Sequence, residues 1–369
     1  MIVPQIEILV IACLVSVACV IPGVFLVLRG VSLMSDAISH AILLGIVAAF
    51  FVIHDLNSPF LLLGASLAGV LTVSITEALI KTNRMKKDAA IGLVFPVFFS
   101  IGVIVISKFA GHLHLDVDSV LLGEIAFAPF NRLYLFGIDL GPKAMVYMGG
   151  ILVMNLLCLI AFYKEFKLTT FDSGLALSMG FSPVFFHYLL MIMTSLTAVA
   201  AFDAVGSILV VALMIAPPST AYLLTSRLSR LIVLSMVTAC LSSVLGYGVA
   251  SYADISIAGS MVSVSGVLFV LALLFSQDKG IVPKLVKAKQ QKLSFASSLL
   301  LVQLLSHEGT DKEPSENTVS NMVHHMNWRL DFANKVTSLS VQSGYIERQG
   351  NRLFLTALGR ENARQLMRY

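Results

Sequence analysis

The segment that decides the fold class reads VSLMSDAISHAILLGIVAAFFVI, residues 31–53. It is long and apolar enough to span a bilayer as a helix, yet it carries Asp36 and His40. These two side chains are four residues apart, so they lie on one face of that helix. The polar positions of the face are 32, 35, 36, 39 and 40. With a rise of about 1.5 Å per residue, His40 is roughly 14 Å from Val31, near the middle of a hydrocarbon core about 30 Å thick.

Two ionisable side chains at this depth indicate a function. Such groups are costly inside a membrane, and they normally face a cavity, a pathway or one another. A carboxylate with an imidazole is also a ligand pair that first-row divalent metals accept. We therefore predict that Asp36 and His40 coordinate a metal ion transiently on a transport pathway. The alternative is a buried polar pair that satisfies itself and holds two helices together.

The composition is that of a protein with many membrane spans. Of the 369 residues, 57% are hydrophobic and 12% are charged, and the mean hydropathy is +0.89, whereas a soluble domain has about 25% charged residues. Apolar runs suitable for membrane helices occur near 6–28, 31–53, 60–80, 89–109, 143–163, 184–202, 204–224, 230–251 and 256–276. The sequence thus predicts about nine spans, or eight if the runs within 184–224 merge.

The basic residues of the loops orient these spans. They are Lys81, Arg84, Lys86, Lys87, Lys164, Lys167, Arg227, Arg230 and Lys279. If the spans alternate in direction, all of these residues fall on one side, which the positive-inside rule makes the cytoplasm. The tail is then cytoplasmic, and the long stretch 111–142 is on the opposite side. Within that stretch, 121–130 is predicted to be re-entrant or interfacial.

After residue 276 the chain changes character. We predict three parts: a transmembrane domain at 1–276, a basic juxtamembrane linker at 277–292, and a small domain at 293–369. The linker suits anionic lipid headgroups. The last part contains two short predicted strands joined by Gly350-Asn351, a hairpin turn signal. Helices followed by a two-stranded wing and a closing helix form the outline of a winged-helix domain.

Four motifs occur in order along the predicted spans. They are SLMSDAISHAILLGI at 32–46, LLGEI at 121–125, FDSGLALSMG at 171–180 and GSILVVALMIAPPSTAYLL at 206–224. Together they resemble the motifs of the metal-transporting permease subunits of bacterial ABC importers, which take up manganese, zinc or iron. The resemblance covers roughly residues 10–276. Pro218-Ser219 stands where the family usually has two alanines, a mild departure.

The resemblance implies an architecture and a set of partners. The fold would be an all-α polytopic membrane protein of about eight to nine transmembrane helices, like a type II ABC importer permease, with a small α+β winged-helix-like cytoplasmic domain. Expected partners are a second permease subunit (a homodimer or a paralogue), a separate ABC ATPase, an extracytoplasmic metal-binding protein and the lipid bilayer of the bacterial cytoplasmic membrane. The chain carries no GxxxxGK[ST] loop, so we expect no enzyme activity of its own. No permanently bound cofactor is expected, only a transported manganese, zinc or iron ion.

Two of the motifs have a mechanical interpretation. Asp172, Ala176 and Gly180 are spaced as in the family's cytoplasmic coupling segment. Asp172 or Ser173 could cap a short helix that transmits a push from the ATPase; the alternative is an ordinary loop. In 206–224, small residues allow close helix approach and Pro217-Pro218 removes backbone donors. That pattern suits a helix at the dimer seam or gate, or a kinked packing helix.

Other candidate ligands carry weaker signals. His112, His114, Asp116 and Asp118 alternate in sequence, so an extended chain would present them together at the outer mouth; the alternative is a solvated loop. Asp203, near the start of a span, could face the cavity. Glu77 and Lys81 are four residues apart and are predicted to pair.

The C-terminal segment GYIERQGNRLFLTALGRENA, residues 344–363, is similar to winged-helix segments of metal-dependent bacterial repressors. Its basic wing, with Arg348 and Arg352, could contact phosphates. We favour a regulatory or packing role against the ATPase, and DNA is not an expected partner. Two rival functions stay open at this point. One is a membrane-tethered metal-responsive regulator acting through the C-terminal domain, and the other is a secondary carrier without an ATPase.

Overall fold

The computed structural model describes residues 4–54, 60–109, 125–135, 138–277 and 279–367. The chain divides into two compact units, residues 1–279 and residues 280–369. The described part of the first unit contains nine helices long and apolar enough to cross a membrane. They are α1 (Pro4–Leu28), α2 (Leu33–Ile53), α3 (Phe60–Lys81), α4 (Lys87–Phe109), α5 (Lys143–Ala161), α8 (Pro183–Val205), α9 (Ser207–Leu224), α10 (Leu228–Ala253) and α11 (Ile257–Phe275).

Among the described residues, these nine candidate spans agree with the nine predicted from hydropathy rather than with the alternative of eight. The two apolar runs within 184–224 are separate helices, because Gly206 breaks the chain between α8 and α9 with a φ of 79°. That φ is in the left-handed region that glycine adopts without steric cost.

Two short helices connect α5 to α8. They are α6 (Tyr163–Phe171) and α7 (Ser173–Ser178). Between α4 and α5 the described residues form a 3-10 helix, Ile125–Phe130, and an antiparallel hairpin of β1 (Arg132–Leu135) and β2 (Ile138–Pro142). The sequence did not predict this hairpin, which extends from Arg132 to Pro142 and is stabilised by an ion pair of 2.7 Å between Arg132 and Asp139.

Helix α1 is the centre of the first unit. It is the most deeply buried of these nine helices: 72% of the residues in its apolar stretch are buried. It packs against α5, α8, α9 and α10. Gly23 permits a close contact with α9, because a side chain there would meet the backbone of Met214. Small residues replace bulk apolar burial as the means of helix association in a membrane.

The same device joins α2 to α3. A methyl group on Gly45 would lie 2.6 Å from Ala65 Cα and 2.7 Å from Gly64 O, so the two backbones are in direct contact. The helix that carries Asp36 and His40 is therefore packed closely against α3.

Helix α9 runs unbroken through Pro217 and Pro218. The two prolines remove two backbone donors but do not end the helix. Both are buried, and α9 packs against α1, α10 and α11 within its own unit. This environment agrees with the packing-helix alternative for the segment 206–224.

The second unit has its own core. Its elements are α12 (Ile281–His307), α13 (Glu313–Glu316), α14 (Val319–His325), α15 (Leu330–Gln342), β3 (Ile346–Gln349), β4 (Arg352–Leu355) and α16 (Ala357–Leu366). Leu300, Leu304, Val336 and Leu353 are all fully buried in it. The basic stretch predicted as a linker, 277–292, is helical from Ile281 onward and continues without a break into the core helix.

The predicted hairpin of the second unit is present. β3 and β4 pair antiparallel, with Gln349 opposite Arg352, and Gly350 turns the chain with a φ of 65°. The order of helices, hairpin and closing helix is the one predicted; the assignment to the winged-helix class remains a prediction.

Candidate functional site

Asp36 and His40 are in contact on α2. His40 Nε2 lies 3.4 Å from Asp36 Oδ1, and the two side chains are 28% and 36% exposed, respectively. Because α2 begins at Leu33, His40 lies only about 10 Å along the helix from its first residue. The pair is therefore nearer to the end predicted to be cytoplasmic than the sequence suggested. Both side chains are partly exposed on the surface of the unit.

Two aromatic rings of α4 fix the imidazole. His40 stacks on Phe95, with ring centroids 5.4 Å apart, and meets the edge of Phe99 at 5.6 Å. Packing against two rings limits the orientations of the imidazole. The imidazole therefore has apolar contacts with α4 and a polar contact with Asp36.

The serines of the predicted polar face do not share this environment. Ser35 and Ser39 are buried, and each donates to a carbonyl of its own helix: Ser35 Oγ to Ser32 O at 2.8 Å, and Ser39 Oγ to Ser35 O at 2.9 Å. Of the side chains at positions 35, 36, 39 and 40, the carboxylate and the imidazole are the two that are partly exposed. The two ionisable groups of the face are thus a carboxylate and an imidazole, side chains of the kinds that can ligate metals.

The weaker candidate ligands do not join this pair. His112, His114, Asp116, Asp118 and the Leu-x-Gly element at 121–124 lie outside the described residues. Asp203 is exposed and lines a cavity of about 170 Å³ together with Phe127, Asn131 and Ala144, but neither Asp36 nor His40 borders that cavity. Among the residues that the structure describes, no group of three or more His, Cys, Asp or Glu side chains could hold a metal ion.

The predicted coupling segment forms a capped helix. Asp172 Oδ1 accepts a hydrogen bond of 2.9 Å from Leu175 N at the start of α7, so Asp172 rather than Ser173 is the cap. Gly180 then turns the chain with a φ of 86°. Ala176 is buried, whereas Leu177 is 64% exposed. The helix therefore shows an apolar outer surface to whatever lies beside it.

One polar cluster in the first unit was not predicted from the sequence. Glu77, predicted to pair with Lys81, forms an ion pair with His187 of α8, and Arg29 also contacts His187. The available signals were an acid inside the apolar run 60–80 and an arginine directly after 6–28. Neither signal names a partner, because the contacting residues are far apart in sequence.

Residues 5–276 match the ABC 3 transport family. The chain belongs to this family. The match ends three residues before the boundary between the two compact units, so the family region and the first unit coincide. The nine candidate spans and the capped helix α7 all lie within the region that matches the family, apart from the first residue of α1.

Known relatives extend the comparison. The chain is 45% identical over 353 residues to the zinc transport system membrane protein TroD of Treponema pallidum, covering 96% of each chain. It is 44% identical over 271 residues to the manganese transport system membrane protein MntD of Bacillus subtilis, covering 73% of this chain and 92% of MntD. The TroD match is too long for the first unit alone, so it reaches into the second.

A solved structure shares the fold of the first unit. PsaBC from Streptococcus pneumoniae, in complex with Fab, matches with a TM-score of 0.63 and 31% identity, covering 75% of this chain and 93% of that one. The predicted class, an all-α polytopic bundle like an ABC importer permease, is confirmed.

Proposed function

We propose that this chain is a permease subunit of a bacterial ABC importer that takes up a divalent metal ion, manganese, zinc or iron. The ion passes Asp36 and His40, and alternating access is driven by a separate ATPase. The observation that carries the proposal is the outward-facing Asp36–His40 contact on α2 in a member of the ABC 3 transport family. Relatives named for zinc and manganese transport support the class of cargo.

The open side of the pair supports a site shared between two subunits. One chain supplies two ligands, whereas divalent transition metals take four or more. A second permease subunit with the same two residues would complete four. An imidazole and a carboxylate that are 28% and 36% exposed, respectively, bind an ion more weakly than a closed cage would, which suits an ion that must leave again.

The exposed surface of α7 supports coupling to an ATPase. Leu175 and Leu177 of α7 and its C-cap residue Met179 are between 48% and 64% exposed, and Lys164 and Lys167 of the predicted cytoplasmic loop are in the preceding helix α6. Apolar side chains held on a capped, six-residue helix form a compact contact for a partner subunit. Hydrolysis of ATP then belongs to that partner, and an extracytoplasmic binding protein delivers the ion on the other side.

The same surface separates the proposal from a secondary carrier. A carrier driven by an ion gradient needs no docking helix, so replacing 172–180 with a flexible linker would leave its transport intact. In an ABC importer this replacement abolishes uptake. The second unit would regulate or contact the ATPase from the cytoplasm, the side on which the basic loops place the tail.

The direct test is uptake by site variants. The chain is produced with the other subunits of its own system in a bacterial strain lacking its own metal importers, and uptake of radioactive manganese, zinc and iron is measured separately. Asp36→Ala and His40→Ala should each lower uptake by at least about tenfold, since even indirect partners of a metal cost that much. Assembly with the ATPase and ATP binding should stay unchanged.

Matched controls use the same residue types away from the pair. Asp88→Asn removes an exposed carboxylate from the first turn of α4, and His54→Asn removes the exposed imidazole after α2 while suiting its left-handed backbone. Both should transport like the wild type. Normal uptake of all three metals by both site variants would refute the site.

A further inference from the structure

Arg29, the residue after α1, links that helix to the connection that carries α7. Its Nε donates to Thr170 Oγ1 at 3.1 Å, and its Nη2 donates to Thr169 Oγ1 at 3.1 Å. Thr169 in turn donates to Glu165 O at 2.8 Å, so its hydroxyl is used in both directions. Thr169 and Thr170 are in the last turn of α6, only two or three residues before Asp172, the cap of α7.

The third arm of the guanidinium reaches α8. Arg29 Nη1 lies 3.4 Å from His187 Nδ1, and the other nitrogen of that ring, Nε2, contacts the carboxylate of Glu77 in α3. Glu77 and His187 are only 18% and 21% exposed. Arg29 is half-buried, and burial lowers its pKa to about 10, so it stays charged at neutral pH. A cation, an imidazole and a carboxylate thus join α1, α8 and α3 in one contiguous row.

The row continues by packing to the helix of the candidate site. Ser195 Oγ of α8 donates to Ser66 O of α3 at 3.0 Å. A methyl group on Gly69 of α3 would meet Ser195 and would lie 3.1 Å from Ile38 Cγ2. Ile38 is on α2 between Asp36 and His40. Helices α8, α3 and α2 therefore touch one another at the level of the two ligands.

We infer that Arg29, His187 and Glu77 form a polar relay that transmits displacement of α7 to α3 and thence to α2. Arg29 is the positioning residue at its start. A push on α7 moves the last turn of α6, because only Asp172 separates the two helices. The guanidinium donates two hydrogen bonds to this turn, so it moves with the turn. Tightly packed helices shift as rigid bodies and pass a displacement on to their neighbours. The inference rests on the proposed function, since it assumes a separate ATPase acting on α7.

An apolar contact runs parallel to the relay and keeps the fold when the relay is removed. Phe166 of α6 packs on Phe25 of α1 and Phe186 of α8, with ring centroids 5.2 and 5.7 Å apart. All three rings are buried. Removing the guanidinium therefore leaves α6 attached, while the directional hydrogen bonds to its last turn are lost.

The relay is tested by the number of metal ions transported per ATP hydrolysed. The complete complex is reconstituted in lipid vesicles, and manganese and zinc uptake and ATP hydrolysis are measured on the same sample. Arg29→Gln should lower the ratio by about fivefold or more, the lower end of ordinary coupling between sites. ATP hydrolysis itself should continue. Arg29→Lys should recover only part of the ratio, because a lysine keeps the charge but not the fork.

A second variant and a control complete the design. Thr170→Val removes one acceptor and keeps Arg29, so it reports on the same ratio if Arg29→Gln assembles poorly. In the Arg29→Gln background it should add little, as expected for two residues of one interaction. Arg230→Gln, an exposed arginine at the start of α10, should leave the ratio unchanged.

The outcomes separate the two proposals. A wild-type complex that transports metal, together with an unchanged ratio in both Arg29→Gln and Thr170→Val, overturns the relay and leaves the proposed function standing. A wild-type complex that transports none of the metals refutes both the relay and the proposed function. A fall in the ratio in both relay variants, but not in Arg230→Gln, supports the relay.

Discussion

Replacing Gly246 by alanine should force α10 and α11 apart. Gly246 is buried where the two helices cross, and a methyl group there would lie 2.5 Å from Met261 Cα, 2.7 Å from Met261 Cγ and 2.8 Å from Met261 N. Two of these three atoms are backbone atoms, so a change of side-chain rotamer cannot relieve the clash. Met261 is itself fully buried, which leaves no room for it to withdraw.

The expected cost follows from this geometry. Overpacking a filled core costs about 1–3 kcal/mol when side chains can adjust, and the backbone contact puts Gly246→Ala at or above the upper end. For a chain of this size 1 kcal/mol corresponds to about 2 °C in the unfolding midpoint, so the variant should unfold about 6 °C or more below the wild type.

Gly248 on the same helix is the matched control. A methyl group there would have no atom within 4 Å, and the position is exposed. Gly248→Ala should be neutral or slightly stabilising, because alanine is the better helix former. Both variants are purified in detergent, and the monodisperse fraction is measured against temperature by size-exclusion chromatography. If Gly246→Ala unfolds at the same temperature as Gly248→Ala and the wild type, the close crossing of α10 and α11 is wrong.

Two further predictions concern other parts of the chain. Asp172→Ala removes the cap of α7 at a cost of about 1 kcal/mol, which should weaken binding of the ATPase about fivefold in a co-purification titration; Asp172→Ser keeps an acceptor and should bind normally. Equal binding by both variants would contradict a docking role for α7. Leu300→Ala should destabilise the second unit by about 2–5 kcal/mol, whereas the neighbouring Leu299→Ala, 41% exposed in the structure, should not. Limited proteolysis of the full chain checks this, and equal protection of residues 280–367 in the two variants would count against the core described above.

The sequence by itself determined the elements whose causes are local. Nine apolar runs predicted nine spans, because a helix that crosses a membrane must satisfy its own backbone and present about 20 apolar residues. Asp172 was one of two predicted caps of a short helix, and a cap depends only on residues within one turn. Gly350 marked the hairpin for the same reason: its left-handed φ of 65° is a property of the turn itself.

Only the tertiary structure decided which polar groups act together. The face of α2 looked uniform in sequence, but neighbouring helices bury Ser35 and Ser39 and leave Asp36 and His40 open. Arg29 and His187 meet across 158 residues of chain. Nothing local selects such a partner, since it depends on how helices of similar composition pack, and that packing is set by where small residues let backbones approach.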